Sequence, residues 1–192
     1  MRTLVIETSA EIGSIALFEG SEMIAEETFG SGRGHAAFLF PALDRLFDKS
    51  GTIDQILCGV GPGGYSGIRV GVSAAIGLKI GRNLPALGIY SALGYPETDY
   101  RVVLDARGAW IYAEIREERL VQPPILLDAA TLEERLSQGS GMVHRSPSSP
   151  LAPVLGRRFL LGFAGDPLPL KPVYLKAPHI TQAKSATLLR SN

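Results

Sequence analysis

Six glycines lie within the thirteen residues GVGPGGYSGIRVG at positions 59–71. Such a density lets the backbone approach a phosphate, a substrate or another protein segment closely. Gly59, Gly61 and Gly64 fit the dinucleotide-binding pattern G-x-G-x-x-G, between a strand-like apolar run and a helical pattern. That site also needs an acid about 20 residues further on to hold a ribose hydroxyl. There is none between Asp54 and Glu97, so the glycines alone do not suffice to predict a dinucleotide site.

Two other chemistries for this loop can be tested by spacing. A Walker A phosphate loop fails because the first lysine after the strand is Lys79, well inside the predicted helix. A serine nucleophile elbow at Ser66 fails because Ile68 stands where its second glycine belongs. Binding of an anion by the backbone N–H groups at the helix start, with Arg69 nearby, stays open.

Acids, histidines and the cysteine complete the candidate chemistry. Glu7 and Asp105 each follow a predicted strand and could flank a cleft as a general acid–base pair, or serve as ordinary turn acids. His35, His144 and His179 are far apart and never paired at helical spacing, so no metal site is predicted. No serine or cysteine triad is evident either, which argues against a peptidase.

Composition sets the broad class. The chain has 192 residues, 45% hydrophobic and 20% charged, with zero formal net charge, as in an ordinary globular protein. Residues 141–192 hold one acid and seven bases, which favours either a solvated tail or contact with RNA or an acidic partner. The single Cys58 excludes a disulfide within the chain. Without a signal peptide or a membrane span in the sequence, we expect a cytoplasmic protein.

The elements that must position these residues follow from periodicity. Strands are predicted at 2–8, 13–20, 21–29, 55–60 and 85–91, with helices at 35–51 and 67–83. This gives a β-β-β-α-β-α-β lobe over residues 1–98. A smaller α/β lobe over 99–192 is predicted to hold strands at 101–107, 109–115 and 119–127 and a helix at 128–136. It continues through a linker at 137–153 and a strand at 158–166 to a Pro-rich basic tail.

The helix after the glycine loop is apolar or small on two sides, one carrying Ile68, Val72, Ala75 and Ile76 and the other Val70, Ala74 and Leu78. A helix that is apolar all round is usually buried all round. One side can cover the sheet, and the other needs a second cover. That cover is either another protein chain or the neighbouring helix at 35–50.

Several short motifs occur in an order that resembles the TsaB (YeaZ) family of bacterial tRNA threonylcarbamoyladenosine biosynthesis. They are IETS near the start, R-x-H ending at His35, GPGGYSGIR at 61–69, DAR at 105–107 and PVYLK at 172–176. The resemblance implies an α/β protein of the actin-like ATPase (ASKHA, ribonuclease H-like) fold, with two lobes of which the second is reduced.

The resemblance also implies a role without catalysis by this chain. A TsaB-like subunit dimerises with a catalytic TsaD-like subunit and works with a TsaE-like ATPase to form N6-threonylcarbamoyladenosine at position 37 of tRNAs that read ANN codons. ATP and metal are then expected on the partner subunits, tRNA is reached through the complex, and a homodimer can form when the chain is alone. A small actin-fold ATPase or kinase, with Glu7 and Asp105 ordering a metal–phosphate, is the alternative.

Site residues follow from the same resemblance. The interface is expected on the helices of the first lobe, at His35, Phe38, Leu39, Ile68, Val72, Ala75, Ile76 and Lys79. A structural loop is expected at Gly61, Pro62, Gly63, Gly64, Tyr65, Ser66, Gly67 and Arg69. Glu7, Thr8, Ser9 and Asp105 correspond to vestigial phosphate-loop positions. The family usually has Asp at the position of Glu7, and Arg107 stands where related ATPases usually have glycine, so nucleotide binding is not expected.

Overall fold

The computed structural model describes residues 1–30, 34–146 and 148–176, which begin with a five-stranded sheet. Its strands lie in the order β3-β2-β1-β4-β5, with β1 antiparallel to β2 and parallel to β4. The elements are β1 (Arg2–Glu7), β2 (Ile12–Glu19), β3 (Glu22–Gly30), α1 (Ala36–Ser50), β4 (Gln55–Gly59), α2 (Tyr65–Arg82) and β5 (Ala86–Ile89). This order of strands and helices is the one that the sequence pattern predicts.

A second sheet of four strands follows, in the order β8-β7-β6-β9, and β9 runs parallel to β6. A short 3-10 helix (Ser91–Leu93) precedes it. The elements are β6 (Tyr100–Asp105), β7 (Trp110–Arg116), β8 (Arg119–Leu127), α3 (Ala129–Gln138), β9 (Met142–Arg145) and α4 (Ala152–Leu160).

Two predictions for the second half are wrong. The segment 137–153 is not a continuous linker, because Met142–Arg145 forms β9. The strand predicted at 158–166 is also absent, because residues 158–160 are the last turn of α4. Pro153 fits the first turn of that helix, and buried residues recur at helical spacing along it.

The part of the chain after β9 returns to the first sheet. Helix α4 packs on β1 and β2, and Gly156 faces the side chains of Phe18 and Val5. Further on, Leu168 pairs with Gly88 of β5, and the Val173 N–H donates to the Val60 carbonyl. The boundary between lobes at residues 98 and 99 therefore stays a prediction, since later residues complete the packing of the first sheet.

Side chains alternate between two apolar cores on opposite faces of the first sheet. On one face Leu4 and Ile6 pack beneath α1 and α2. On the other, Val5 and Phe18 pack against α4 and the second sheet. Within the described ranges, no helix is both long and apolar enough to cross a membrane.

Glycines let α2 lie directly against the segment that follows β1. A Cβ at Gly63 would clash with the Ser9 carbonyl, and one at Gly67 would clash with the Thr8 carbonyl. The contact is closed by hydrogen bonds, because the Thr8 hydroxyl donates to the Gly67 carbonyl and the Gly64 N–H donates to the Ser9 carbonyl. This backbone-to-backbone approach accounts for the glycine density without a bound phosphate.

Two alanine substitutions on the same helix should therefore act in opposite directions. Gly67→Ala is expected to lower the free energy of unfolding by about 1–3 kcal/mol, since a backbone carbonyl must move. Gly77→Ala adds a methyl group into open space and should raise it by about 0.5–1 kcal/mol. Urea denaturation measures both. Equal effects of the two variants would contradict this packing.

Candidate functional site

Helix α2 has one buried and one exposed side. Ile68, Val72 and Ala75 are buried against the first sheet, whereas Ile76 is 39% exposed and Ile80 is 76% exposed. Gly77 and Gly81 lie on the exposed side, with no heavy atom within 4 Å of a Cβ built there. We call Ser73, Ile76, Gly77, Ile80 and Gly81 the outward face of α2. Helix α1 does not cover this face, which remains apolar, thin and open.

The eight residues predicted as an interface divide by burial. Phe38, Ile76 and Lys79 are exposed. The remaining five are buried in this chain: His35, Leu39, Ile68, Val72 and Ala75. Their side chains fill the chain's own core, so they support a surface but do not form one. Phe40 and Ile80, which were not predicted from the sequence, are more exposed than Phe38 and Ile76.

His35 has a local structural role at the start of α1. Its Nε2 lies 2.7 Å from the Ala10 carbonyl and donates to it, and its ring packs beside Gly67. The ring also meets Phe29 edge to face. His35 thus joins α1, α2 and the loop after β1, while Arg33 of the same motif lies outside the described residues.

The loop residues predicted as structural make contacts within the chain. Gly61 has φ +96°, a conformation that favours glycine, and donates to the Ser91 hydroxyl. Tyr65 stacks on Tyr174 at 4.6 Å between ring centroids, and Arg69 Nε donates to the Tyr174 hydroxyl. The glycine-loop motif and the PVYLK motif therefore meet in one cluster. Pro62 is buried, and Ser66 is exposed.

Glu7 is buried at the end of β1 and does not face solvent. Its Oε1 accepts a hydrogen bond from the Ser9 N–H, while Oε2 has no hydrogen-bond partner among the described residues. Burial raises the pKa of this carboxyl above its ordinary value, and the hydrogen bonds from Ser9 offset only part of that effect. Gly59 leaves the room that the carboxyl needs, since a Cβ there would meet Oε2.

Asp105 differs from Glu7, because it is exposed at the end of β6. Its Oδ1 accepts from the Arg107 N–H at 2.7 Å within the hairpin turn. Lys176 crosses from the C-terminal segment and donates to the Ala106 and Arg107 carbonyls. The hairpin turn after β6 is thus bound by a lysine of the same chain.

A cleft of about 340 Å³ lies between the two sheets. Its described lining includes Ser9, Gly63, Gly64, Ser91, Ala92, Tyr95, Val102, Leu104, Ile111, Ser148 and Pro150. The charged groups on this described lining are the acids Glu11 and Asp105, and it includes neither lysine nor arginine. Such a lining repels phosphate groups. Across the described ranges, no group of three or more His, Cys, Asp or Glu side chains is placed to hold a metal ion.

The structure also joins three residues that sequence reasoning did not connect. His144 Nδ1 lies 3.1 Å from Ser148 Oγ, and His144 Nε2 lies 2.7 Å from Glu97 Oε2. Ser148 lines the cleft. The four-residue interval from His144 to Ser148 was visible in the sequence, but the 47-residue separation from Glu97 gave no signal.

Comparisons with known proteins agree with one family. The chain is 29% identical over 159 residues to the tRNA threonylcarbamoyladenosine biosynthesis protein TsaB of Escherichia coli, covering 73% of this chain and 68% of that protein. It is 34% identical over 91 residues to the protein of the same name from Haemophilus influenzae, covering 45% and 38%. The chain is thus similar to proteins named TsaB, in one case over 73% of its length. A related family model, described as TsaD: tRNA N6-adenosine threonylcarbamoyltransferase, matches residues 26–111.

The fold found here is also that of a solved structure named YeaZ. The structure of YeaZ from Pseudomonas aeruginosa superimposes with a TM-score of 0.71 at 22% identity, covering 91% of this chain and 99% of that one. The predicted actin-like ATPase fold is confirmed.

The buried carboxyl of Glu7 gives a pH-dependent prediction. Because its pKa is raised in the folded state, the folded chain holds this proton to a higher pH than the unfolded chain does. Stability from this group is therefore present at low pH and is lost as the pH rises from the ordinary glutamate range through the raised value. Glu7→Gln should melt at a higher temperature than the original chain near neutral pH, and the difference should shrink on acidification.

Thermal unfolding at pH values from about 4 to about 8 tests this. Glu11→Gln is the matched control, because Glu11 lies four residues after Glu7 and is exposed. This substitution should leave the melting temperature nearly unchanged. The assignment would be refuted if the substitution Glu7→Gln raised the melting temperature less at neutral pH than at acidic pH.

Proposed function

We propose that this chain is the non-catalytic scaffold subunit of a complex that forms N6-threonylcarbamoyladenosine at position 37 of ANN-decoding tRNAs. Its relatives in the TsaB family carry the name of that biosynthesis. The observation that carries the proposal is the outward face of α2, where two exposed isoleucines lie among glycines and a serine. A thin apolar face of this kind allows the backbone of another helix to approach closely.

The partner at this face is a TsaD-like catalytic subunit. The TsaD family model matches residues 26–111 of this chain, a range that contains α1 and α2. Two proteins that share these elements can present equivalent helices to each other across a pseudo-twofold axis, in the manner of an isologous dimer. The same argument allows the chain to form a homodimer through α2 when the partner is absent.

The chain supports the reaction and leaves the chemistry to its partners. The cleft presents acids, Glu7 is buried, and Lys176 binds the turn after β6, an arrangement that does not favour a triphosphate and its metal. ATP and metal would accordingly be held by the TsaD-like subunit and by a TsaE-like ATPase. Contact with tRNA is through the complex, and the basic residues after 176 lie outside the described part of the chain.

A charge on the outward face of α2 should separate the complex. Ile80→Glu places a carboxylate at a position that is 76% exposed in the free chain, so the fold should be retained while the partner must desolvate the charge. We expect the dissociation constant for the TsaD-like subunit to rise at least about tenfold, or about 1.4 kcal/mol.

Isothermal titration calorimetry with the purified subunits measures this constant. Val121→Glu is the matched control, because Val121 is an apolar residue that is 55% exposed on β8, away from α2. The control should bind as the original chain does. Unchanged affinity of Ile80→Glu, or equal weakening by both variants, would refute the proposed interface.

A further inference from the structure

Glu97, His144 and Ser148 form a hydrogen-bonded chain at the edge of the cleft between the sheets. They come from the segment after the 3-10 helix, from β9 and from the segment after β9. Ser148 Oγ lies 3.1 Å from His144 Nδ1, and Glu97 Oε2 lies 2.7 Å from His144 Nε2. A hydroxyl, an imidazole and a carboxylate in this order are the parts of an activated serine nucleophile, which is recognised by geometry and not by sequence position.

The contacts select the imidazole tautomer that such a site needs. A carboxylate only accepts hydrogen bonds, so Glu97 fixes the proton of the neutral imidazole on Nε2. The lone pair on Nδ1 then faces the Ser148 hydroxyl and can take its proton. Glu97 is thus a positioning residue, and His144 is the general base.

Aromatic packing fixes the imidazole plane. The His144 ring stacks on Tyr95 at 4.0 Å between centroids and 16° between planes, and it meets Tyr100 edge to face at 5.1 Å. Arg158 donates to the Glu97 carbonyl and to the Tyr100 hydroxyl, which fixes the segment that carries the carboxylate. Only 9% of the His144 side chain is exposed, whereas Ser148 lines the cleft. The base is therefore shielded while the nucleophile faces the space that a ligand would occupy.

We propose that Ser148 is a nucleophile and that the cleft is a site of acyl-ester hydrolysis. Ser148 Oγ attacks the acyl carbonyl as His144 Nδ1 takes the hydroxyl proton. The ester C–O bond then breaks, and His144 returns the proton to the departing alcohol. Water, deprotonated by the same imidazole, then attacks the acyl-serine; the acyl C–Oγ bond breaks, His144 returns the proton to Ser148 Oγ, and the acid leaves the free enzyme. This activity is independent of the tRNA modification proposed above.

The cleft defines the class of substrate. Its volume of about 340 Å³ is enough for a small ligand only. Val102, Leu104 and Ile111 provide an apolar wall, and Glu11 and Asp105 make the rim negative. Small neutral or cationic esters fit this lining, and anionic esters are disfavoured.

Labelling of the isolated chain with an uncharged fluorophosphonate, followed by peptide mass spectrometry, tests the nucleophile. We expect one label per chain, on Ser148, and none in Ser148→Ala. Ser146→Ala is the matched control, because Ser146 lines the same cleft and has no histidine partner in the described residues; it should be labelled like the original chain. His144→Gln should slow labelling at least about 100-fold.

Steady-state hydrolysis of p-nitrophenyl acetate tests the positioning role of Glu97. Glu97→Gln should lower kcat and leave KM nearly unchanged, since the residue does not touch the substrate, and the anionic p-nitrophenyl succinate should be the poorer substrate. Three results would overturn the proposal: an unlabelled original chain, labelling of Ser146 and Ser148 alike, or a Ser148 labelling rate that His144→Gln does not change. Circular dichroism of each variant shows whether it is folded, so that loss of labelling can be distinguished from unfolding.

Discussion

The direct contact between α2 and the segment after β1 is the constraint on which the other features depend. Hydrogen bonds join Thr8 and Ser9 to Gly67 and Gly64, and a side chain at Gly63 or Gly67 would prevent this approach. Because the helix lies so close, its inner side is fully occupied by the first sheet. The outer side, with Ile76, Gly77 and Ile80, is then left without a cover from this chain. One packing contact therefore accounts for both the glycine-rich motif and the exposed outward face of α2.

The same contact sets the chemistry of the cleft. The end of β1 is drawn beneath α2, so Glu7 is buried and the rim of the cleft is left to Glu11 and Asp105. Next to Asp105, Lys176 binds the turn after β6, and Tyr174 of the same segment stacks on Tyr65 at the start of α2. The C-terminal segment thus contacts both the glycine-rich loop and the turn after β6. Glu7 is buried and the turn after β6 is bound by Lys176, so the polar groups at these strand ends make contacts within the chain.

Much of this arrangement could be predicted from the sequence, where local patterns are strong. The β-branched run in β1, the turn residues between the strands and the residues that end α1 and α2 predicted the first sheet and its helices to within about two residues at most boundaries. The errors come from non-local causes. The strand at 158–166 was predicted from the apolar residues that follow Arg158, but residues 158–160 are the last turn of α4, which packs on β1 and β2. Met142–Arg145 was hidden among turn residues and becomes a strand only because β6 offers a free edge for parallel pairing.

The sequence indicated that the candidate site lies on α2, but it did not indicate which face of α2 is exposed. An α2 that is apolar on both sides carries no signal for which side meets the sheet, so Ile68, Val72 and Ala75 were chosen and Ile80 was missed. Glu97, His144 and Ser148 could not be joined at all, because their proximity depends on the pairing of β9 with β6. Charge, glycine content and periodicity are read from residues that are neighbours in the sequence. A site assembled from three separate segments depends instead on how the strands pair.

The most direct test of the account is nucleoside mass spectrometry of tRNA from cells depleted of this protein. The account predicts that N6-threonylcarbamoyladenosine is lost, that the original chain restores it, and that Ile80→Glu does not restore it at equal protein level. Normal modification in depleted cells would contradict the proposed function. Full restoration by Ile80→Glu would contradict the claim that the outward face of α2 carries it.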